Sequence, residues 1–189
     1  MIRNIFLAGL ISAILFSCNN ETAHNTYFNL TDYFNGQMKE LYAQKMKLDK
    51  TVETADKSDL YSTDSPDWMR ELQLFYNSDI SSNSLTNKYQ VDSSYFKYDT
   101  LSRLKIIYSA KDSSSFTKQL EIDFDSVSHK VLYLQIHTHS KNFYTETNTQ
   151  LEYIPLKEIA IVISQHTLFG EDETTKMRGL IVKGEKYFQ

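Results

Sequence analysis

Two histidines separated by one residue are the sharpest chemical feature of the sequence. His137 and His139 lie in a segment that alternates between apolar and polar residues. In a β-strand, residues two apart point to the same face, so the two imidazoles would project together, near His129 and Tyr133. Paired imidazoles on one strand are a common start to a metal site.

A metal site would need a third ligand, and no carboxylate stands at a matching spacing from the pair. Glu146 or Glu152, on the following strand, would contribute only by accident of register. A solvent-facing pair at a strand end is therefore favoured over a metal site. No catalytic residue and no cofactor is predicted from the sequence.

The other polar clusters of the sequence are more typical of loops than of catalytic or metal-binding sites. The serine runs Ser81–Ser84 and Ser113–Ser115 lack the flanking glycines of a nucleophile elbow. Glu171, Asp172 and Glu173 could bind a divalent cation, but three adjacent acids after Gly170 are more typical of a solvated hairpin tip.

Cys18 is the residue with the clearest predicted chemistry. An apolar run of about a dozen residues, Ile5–Phe16, follows the single charge of Arg3 and is too short for a membrane span, which needs roughly 20 residues. Leu15-Phe16-Ser17-Cys18 resembles the lipobox of bacterial lipoproteins. The resemblance implies cleavage before Cys18 and a lipid on its sulfur; the alternative is a cysteine that merely follows an uncleaved helix.

The predicted organisation is a signal peptide (1–17), a lipidated tether (18–26) and a single domain (27–189). Cleavage would remove Arg3 alone among the 20 basic residues, leaving 19 against 24 acidic ones and a formal net charge of −5. That charge argues against nucleic acid and against electrostatic adsorption to anionic lipid. With one cysteine, the chain cannot form an intrachain disulfide.

A first helix is predicted from an apolar stripe at helical spacing after the cap residue Asn29. Lys45, Lys47 and Lys50 are expected near its far end, where cations are favoured. The stripe consists of Tyr27, Leu30, Phe34, Met38, Leu41 and Leu48.

A second, shorter helix is predicted to begin at Ser65-Pro66, a cap residue followed by proline at the first helical position. Its stripe of Trp68, Leu72, Phe75 and Tyr76 could be a sugar-stacking platform, but a core face is favoured. A polar stretch (54–64) is expected between the two helices.

From Tyr89 onward the apolar period changes from 3.6 to 2, which predicts six or seven strands. The connections are too short for crossover helices, so successive strands are expected to be antiparallel neighbours. The predicted fold class is α+β, with two N-terminal helices packed on one face of a twisted antiparallel meander.

The alternation also assigns faces. Leu132, Leu134 and Ile136 are predicted to point into the core, and the polar opposite face is predicted to be solvated. The residues expected to point outward are Val131, Tyr133, Gln135, His137 and His139. The strand Ile159–Ile163 is apolar on both faces, so it should be central in the sheet or contact a protein.

The chain resembles a family of Bacteroidota lipoproteins without an established activity. The matching pieces are Tyr33-Phe34, Lys50-Thr51, and the segment from Asp67-Trp68-Met69-Arg70 through Phe75 to Asp79-Ile80, followed by strand-rich sequence. The resemblance implies lineage and cellular address, and adds no catalytic residue.

The predicted function is that of a non-enzymatic binding or scaffolding lipoprotein of the bacterial envelope. The alternative is a carrier of an apolar ligand between helices and sheet, and an enzyme ranks third. The expected partners are the membrane, through the lipid on Cys18, and an envelope protein, a glycan or an apolar ligand. The resemblance implies exposure at the cell surface where several acidic residues follow the cysteine closely, but here Glu21 is the one acid close to Cys18. We therefore expect attachment to the outer membrane, facing the periplasm.

Overall fold

A computed structural model describes residues 27–98 and 101–184; Cys18, the signal peptide and the tether lie outside these ranges. The described chain is α+β, with three short helices and nine strands. No helix in these ranges is long and apolar enough to cross a membrane. The helices are α1 (Leu30–Ala43), α2 (Trp68–Glu71) and α3 (Gln73–Asn77), and a 3₁₀ turn spans Asn83–Leu85.

All nine strands belong to one antiparallel sheet in the order β2-β1-β9-β8-β7-β6-β5-β4-β3. Strands β3 to β9 form the predicted meander, and the hairpin β1–β2 extends it beyond β9. The strands are β1 (Met46–Glu53), β2 (Ser58–Thr63), β3 (Tyr89–Tyr98), β4 (Leu101–Ala110), β5 (Thr117–Asp125), β6 (Val131–Lys141), β7 (Thr145–Ile154), β8 (Glu158–Thr167) and β9 (Glu173–Lys183).

The prediction of six or seven strands is wrong because β1 and β2 are additional. The first helix ends at Ala43, and Lys45 takes a left-handed conformation (φ 51°) that turns the chain into β1. Leu48 is buried, but on this strand rather than on the helix, and Lys47 and Lys50 also lie in β1. The polar stretch before the second helix contains β2.

Asp79 fixes the N-terminus of α1 from 48 residues away in sequence. Its carboxylate accepts hydrogen bonds from the backbone N–H groups of Leu30 and Thr31 at 3.3 and 3.2 Å, and from the Thr31 hydroxyl at 2.6 Å. The Ser81 N–H and hydroxyl bind the same carboxylate at 2.9 and 3.1 Å. Asn29 caps the helix as predicted, by accepting from the Asp32 N–H.

The second helical segment begins two residues later than predicted, because Asp67 rather than Ser65 caps it, and it breaks into α2 and α3 at Leu72. Trp68, Leu72 and Phe75 are at most 1% exposed, which confirms that they belong to the core. Phe75 packs between Phe34 of α1 and Tyr153 of β7, with ring centroids 5.0 and 6.0 Å away.

On β6, the predicted inward and outward sides are confirmed from Tyr133 onward. For Val131 and Leu132 they are reversed. Leu134 and Ile136 are fully buried, while Tyr133 stays partly exposed. A bulge between β5 and β6 places Val131 opposite Phe124 on the core side, so Leu132 is the extra residue and Val131 packs against the core. Strand β8 lies in the interior of the sheet, as its two apolar faces predict.

Candidate functional sites

The histidine pair lies on the outer face of β6, away from the helices. The His139 Nδ1 atom is 2.9 Å from the Asn148 Oδ1 atom, and its Nε2 atom is 3.8 Å from a Glu146 carboxylate oxygen. Glu146 in turn pairs with Lys141 at 2.7 Å, which lowers the pKa of the Glu146 carboxyl. This carboxylate is therefore held by a lysine rather than left for a metal.

His129 does not lie beside His137 and His139, and no set of metal-binding side chains in the described residues completes a site with them. His129 lies in the β5–β6 turn, at the other end of β6, with a left-handed φ of 55°. Within the two described ranges, no three His, Cys, Asp or Glu residues are placed to hold a metal ion. On the same outer face, burial and then the Glu152 carboxylate raise the pKa of Tyr133.

A polar cleft of about 200 Å³ opens beside the pair. Its walls offer amides, hydroxyls, the two imidazoles and one ammonium group, all of which can form hydrogen bonds to a polar ligand. Its polar lining comprises Lys118, His137, Thr138, His139, Asn148, Thr149, Gln150 and Ser164.

A second cleft, of about 450 Å³, runs between α1 and the β5–β6 and β7–β8 turns. Aromatic and aliphatic side chains form much of its lining, and the rim carries both charge signs. We call it the α1 groove; it is lined by Phe28, Tyr33, Gln37, Glu40, Phe124, His129, Lys130, Val131, Pro155 and Leu156.

Tyr33 gives the α1 groove a buried polar atom. Its hydroxyl is shielded from solvent and has no hydrogen-bond partner. Burial, followed by the proximity of Tyr153 and Glu40, raises the pKa of Tyr33, so the group stays protonated and able to donate. By contrast, the Tyr153 hydroxyl donates to Gln37 Oε1 at 2.9 Å.

The space directly beneath α1 is filled by the protein's own side chains. Phe34, Phe75 and Tyr153 are all 0% exposed, and the rings of Phe34 and Tyr153 lie 5.1 Å apart. An apolar ligand would therefore occupy the α1 groove at the edge of the helix layer rather than this part of the core.

Two neighbouring hairpin turns display large apolar side chains to solvent. Phe143 and Tyr144 in the β6–β7 turn are 80% and 63% exposed, and Leu168 and Phe169 in the β8–β9 turn are 56% and 86% exposed. The Leu168 N–H donates to the Tyr144 carbonyl at 2.9 Å, which joins the two turns. We call these four residues the tip surface.

The four apolar residues of the tip surface were not predicted from the sequence to have a role. The available signal was the type of residue: Phe143-Tyr144 after Asn142, and Leu168-Phe169 before Gly170, stand where turns ordinarily carry polar residues. The predicted acidic tip is confirmed in position, since Glu171 and Asp172 lie exposed in the β8–β9 connection.

No protein-family model matches the sequence, and no curated protein is significantly similar to it. Among solved structures, the chain is similar to the S-type phycobiliprotein lyase CPES from Guillardia theta, with 9% sequence identity. The match covers 79% of this chain and 93% of that chain, with a TM-score of 0.28. At this level, the likeness carries no argument about function.

Proposed function

We propose that the protein is a lipid-anchored lipoprotein of the bacterial envelope that acts as a non-enzymatic binding or scaffolding module. The anchor is the lipid on Cys18 that the lipobox implies, and the contact surface is the tip surface. The resemblance to Bacteroidota lipoproteins supports the same address. Attachment to the outer membrane, facing the periplasm, is part of this proposal.

The tip surface is the observation that carries the proposal. Three of its four side chains expose more than 60% of their area, including Phe169 at 86%. Scattered apolar residues are ordinary on protein surfaces, but an exposed contiguous group marks a contact site.

A photoreactive phenylalanine analogue at position 169 tests this function in intact cells. We expect adducts with a membrane component or an envelope protein after irradiation. Val127 is the matched control position because it is 82% exposed in a turn at the opposite end of the sheet. Equal labelling from the two positions would refute the tip surface as the contact site.

The α1 groove supports a second candidate, the carrier of a small apolar ligand. Its volume of about 450 Å³ falls in the range of small-molecule sites, and aromatic and aliphatic side chains form much of its lining. A fluorescent anilinonaphthalene probe should bind at one saturable site and lose affinity in Phe28→Ser. Leu74→Ser, on α3 and outside the groove, is the control. Unchanged binding in Phe28→Ser would argue against the carrier.

A further inference from the structure

We propose that the tip surface inserts into the interfacial region of the bilayer that holds the chain's own lipid anchor, and that this bilayer surface is zwitterionic. The proposal rests on the proposed function, because it uses the lipid on Cys18. It adds an identified partner for the contact surface and an orientation of the sheet relative to the membrane.

The tip surface is chemically suited to a membrane interface. It comprises two phenylalanines, one tyrosine and one leucine at the ends of turns that extend beyond the paired strands. Phe143 and Tyr144 pack edge to face with ring centroids 4.8 Å apart, so they form one apolar projection. Aromatic side chains with an apolar body and, in tyrosine, a polar tip are enriched where lipid meets water.

Several backbone polar groups of the β6–β7 turn are already hydrogen-bonded within the protein. The Asn142 side-chain oxygen accepts from the N–H groups of Tyr144 and Thr145 at 2.8 Å each. The Asn142 N–H donates to the Thr145 carbonyl at 2.9 Å, and the Tyr144 carbonyl accepts from Leu168. Because unsatisfied backbone groups are costly to desolvate, these internal bonds reduce the cost of insertion.

The first described residue, Tyr27, extends its side chain to the end of the sheet where the tip surface lies. The Tyr27 hydroxyl donates to the Tyr89 carbonyl at 3.1 Å and accepts from the Tyr89 N–H at 3.0 Å. Tyr89 is the first residue of β3 and pairs with Ala110, the last residue of β4. The β4–β5 turn that follows Ala110 lies at the end where the β6–β7 and β8–β9 turns also lie.

Covalent reach allows the anchor and the tip surface to meet one bilayer. Nine residue steps separate Cys18 from Tyr27, which span at most about 30 Å. Strand β8 is five strands from β3 in the sheet, a lateral distance of about 24 Å at the usual strand spacing. The tip surface therefore lies within the reach of a lipid on Cys18.

Charge decides which lipid surface is favoured. Around the two turns, the segments 141–146 and 166–173 carry one lysine against four carboxylates, for a formal charge of −3 with neutral histidine. Lys141 neutralises Glu146, but Glu171 and Glu173 remain close to Phe169. An anionic surface would repel this group, whereas a zwitterionic surface would not.

The test uses the lipidated full-length protein, expressed with its own signal and reconstituted in phosphatidylcholine vesicles that contain brominated chains. We expect a tryptophan introduced by Phe143→Trp to lose most of its added fluorescence to the bromine, and Val127→Trp, at the far end, to lose none. Trp68 is 1% exposed and provides a constant background. Combining Phe143→Trp with Phe169→Ser should reduce the quenching.

Each negative result of this experiment leads to a different conclusion. If palmitate labels the protein but Phe143→Trp is quenched no more than Val127→Trp, the bilayer inference is overturned while the lipid anchor stands, and the tip surface then fits a protein partner. If no palmitate is incorporated, the proposed anchor fails first. Stronger quenching in phosphatidylglycerol than in phosphatidylcholine vesicles would overturn the choice of a zwitterionic surface.

Discussion

Replacing Asp79 by asparagine should lower the free energy of unfolding, because the Asp79 carboxylate caps the N-terminus of α1. One carboxylate oxygen accepts from the Leu30 and Ser81 N–H groups, and the other accepts from the Thr31 N–H and from the hydroxyls of Thr31 and Ser81. Asparagine keeps the shape but turns one of these oxygens into a donor that faces other donors. It also removes the negative charge at the start of α1.

The magnitude follows from these losses. Hydrogen bonds to charged groups contribute about 1.5–3 kcal/mol each but are not additive, and a charge at a partly buried helix N-terminus contributes up to about 2 kcal/mol. We therefore expect Asp79→Asn to lower the free energy of unfolding by about 2–3 kcal/mol. For a chain of this size that corresponds to a decrease in Tm of roughly 4–12 °C.

The difference in stability between wild type and Asp79→Asn should depend on pH in a defined direction. Burial alone would raise the pKa of Asp79, but the hydrogen bonds from Thr31 and Ser81 outweigh it and hold the pKa below its ordinary value of 3.8. Stabilisation by a carboxyl with a lowered folded-state pKa is complete above the unfolded-state value and is lost as the pH falls through the folded-state pKa. The gap between wild type and Asp79→Asn should therefore narrow below about pH 4.

Urea denaturation at pH 7 and at pH 3, followed by circular dichroism, measures both effects. Asp32→Asn is the matched control, since Asp32 also lies in the first turn of α1 but is exposed and bonds only the Asn29 side chain. Asp32→Asn should lower the free energy of unfolding by well under half of the loss in Asp79→Asn. The capping argument fails if Asp79→Asn equals wild type at pH 7, or if the gap between them is the same at both pH values.

Three further predictions address the core, the anchor and the orientation. Phe75→Ala should cost about 3–5 kcal/mol in urea denaturation because its ring is 0% exposed; wild-type stability would mean that α3 does not bury this face. Cys18→Ser should abolish palmitate labelling, because an alcohol cannot form the thioether, and continued labelling would exclude Cys18 as the anchor. Protease added to intact cells should spare the domain until the outer membrane is permeabilised, and rapid cleavage would contradict the periplasmic orientation.

The features that were predictable from the sequence are those with a long, unbroken apolar period. The meander from β3 to β9 and the buried stripe of Trp68, Leu72 and Phe75 belong to this class. Strand β1 escaped prediction because Leu48 follows Leu41 by seven residues, a spacing that also fits two turns of a helix. The intervening turn uses Lys45 at positive φ, where a glycine would have marked the helix end.

Other features depend on pairing, which no single segment encodes. Strand β2 is an edge strand with little burial, so it lacks an alternating apolar signal. The bulge at Leu132 adds one residue within Val131-Leu132-Tyr133-Leu134, where every side chain is apolar or aromatic, so the period cannot show the shift. The α1 groove combines residues of α1 with residues of two turns that lie about 90 to 120 positions later in the chain.

The two surfaces with proposed roles lie at opposite ends of the strands, and this separation makes the two candidate functions compatible. The tip surface lies beyond Thr145, at the start of β7, and Pro155 and Leu156 of the α1 groove follow Ile154, at its end. Ten residues of antiparallel strand span about 34 Å. A domain held to a bilayer by its tip surface would therefore open the α1 groove roughly one strand length from the lipid, toward the aqueous compartment. A ligand bound there would be held in solution beside the membrane rather than in it, which is the geometry that a carrier or a scaffold requires.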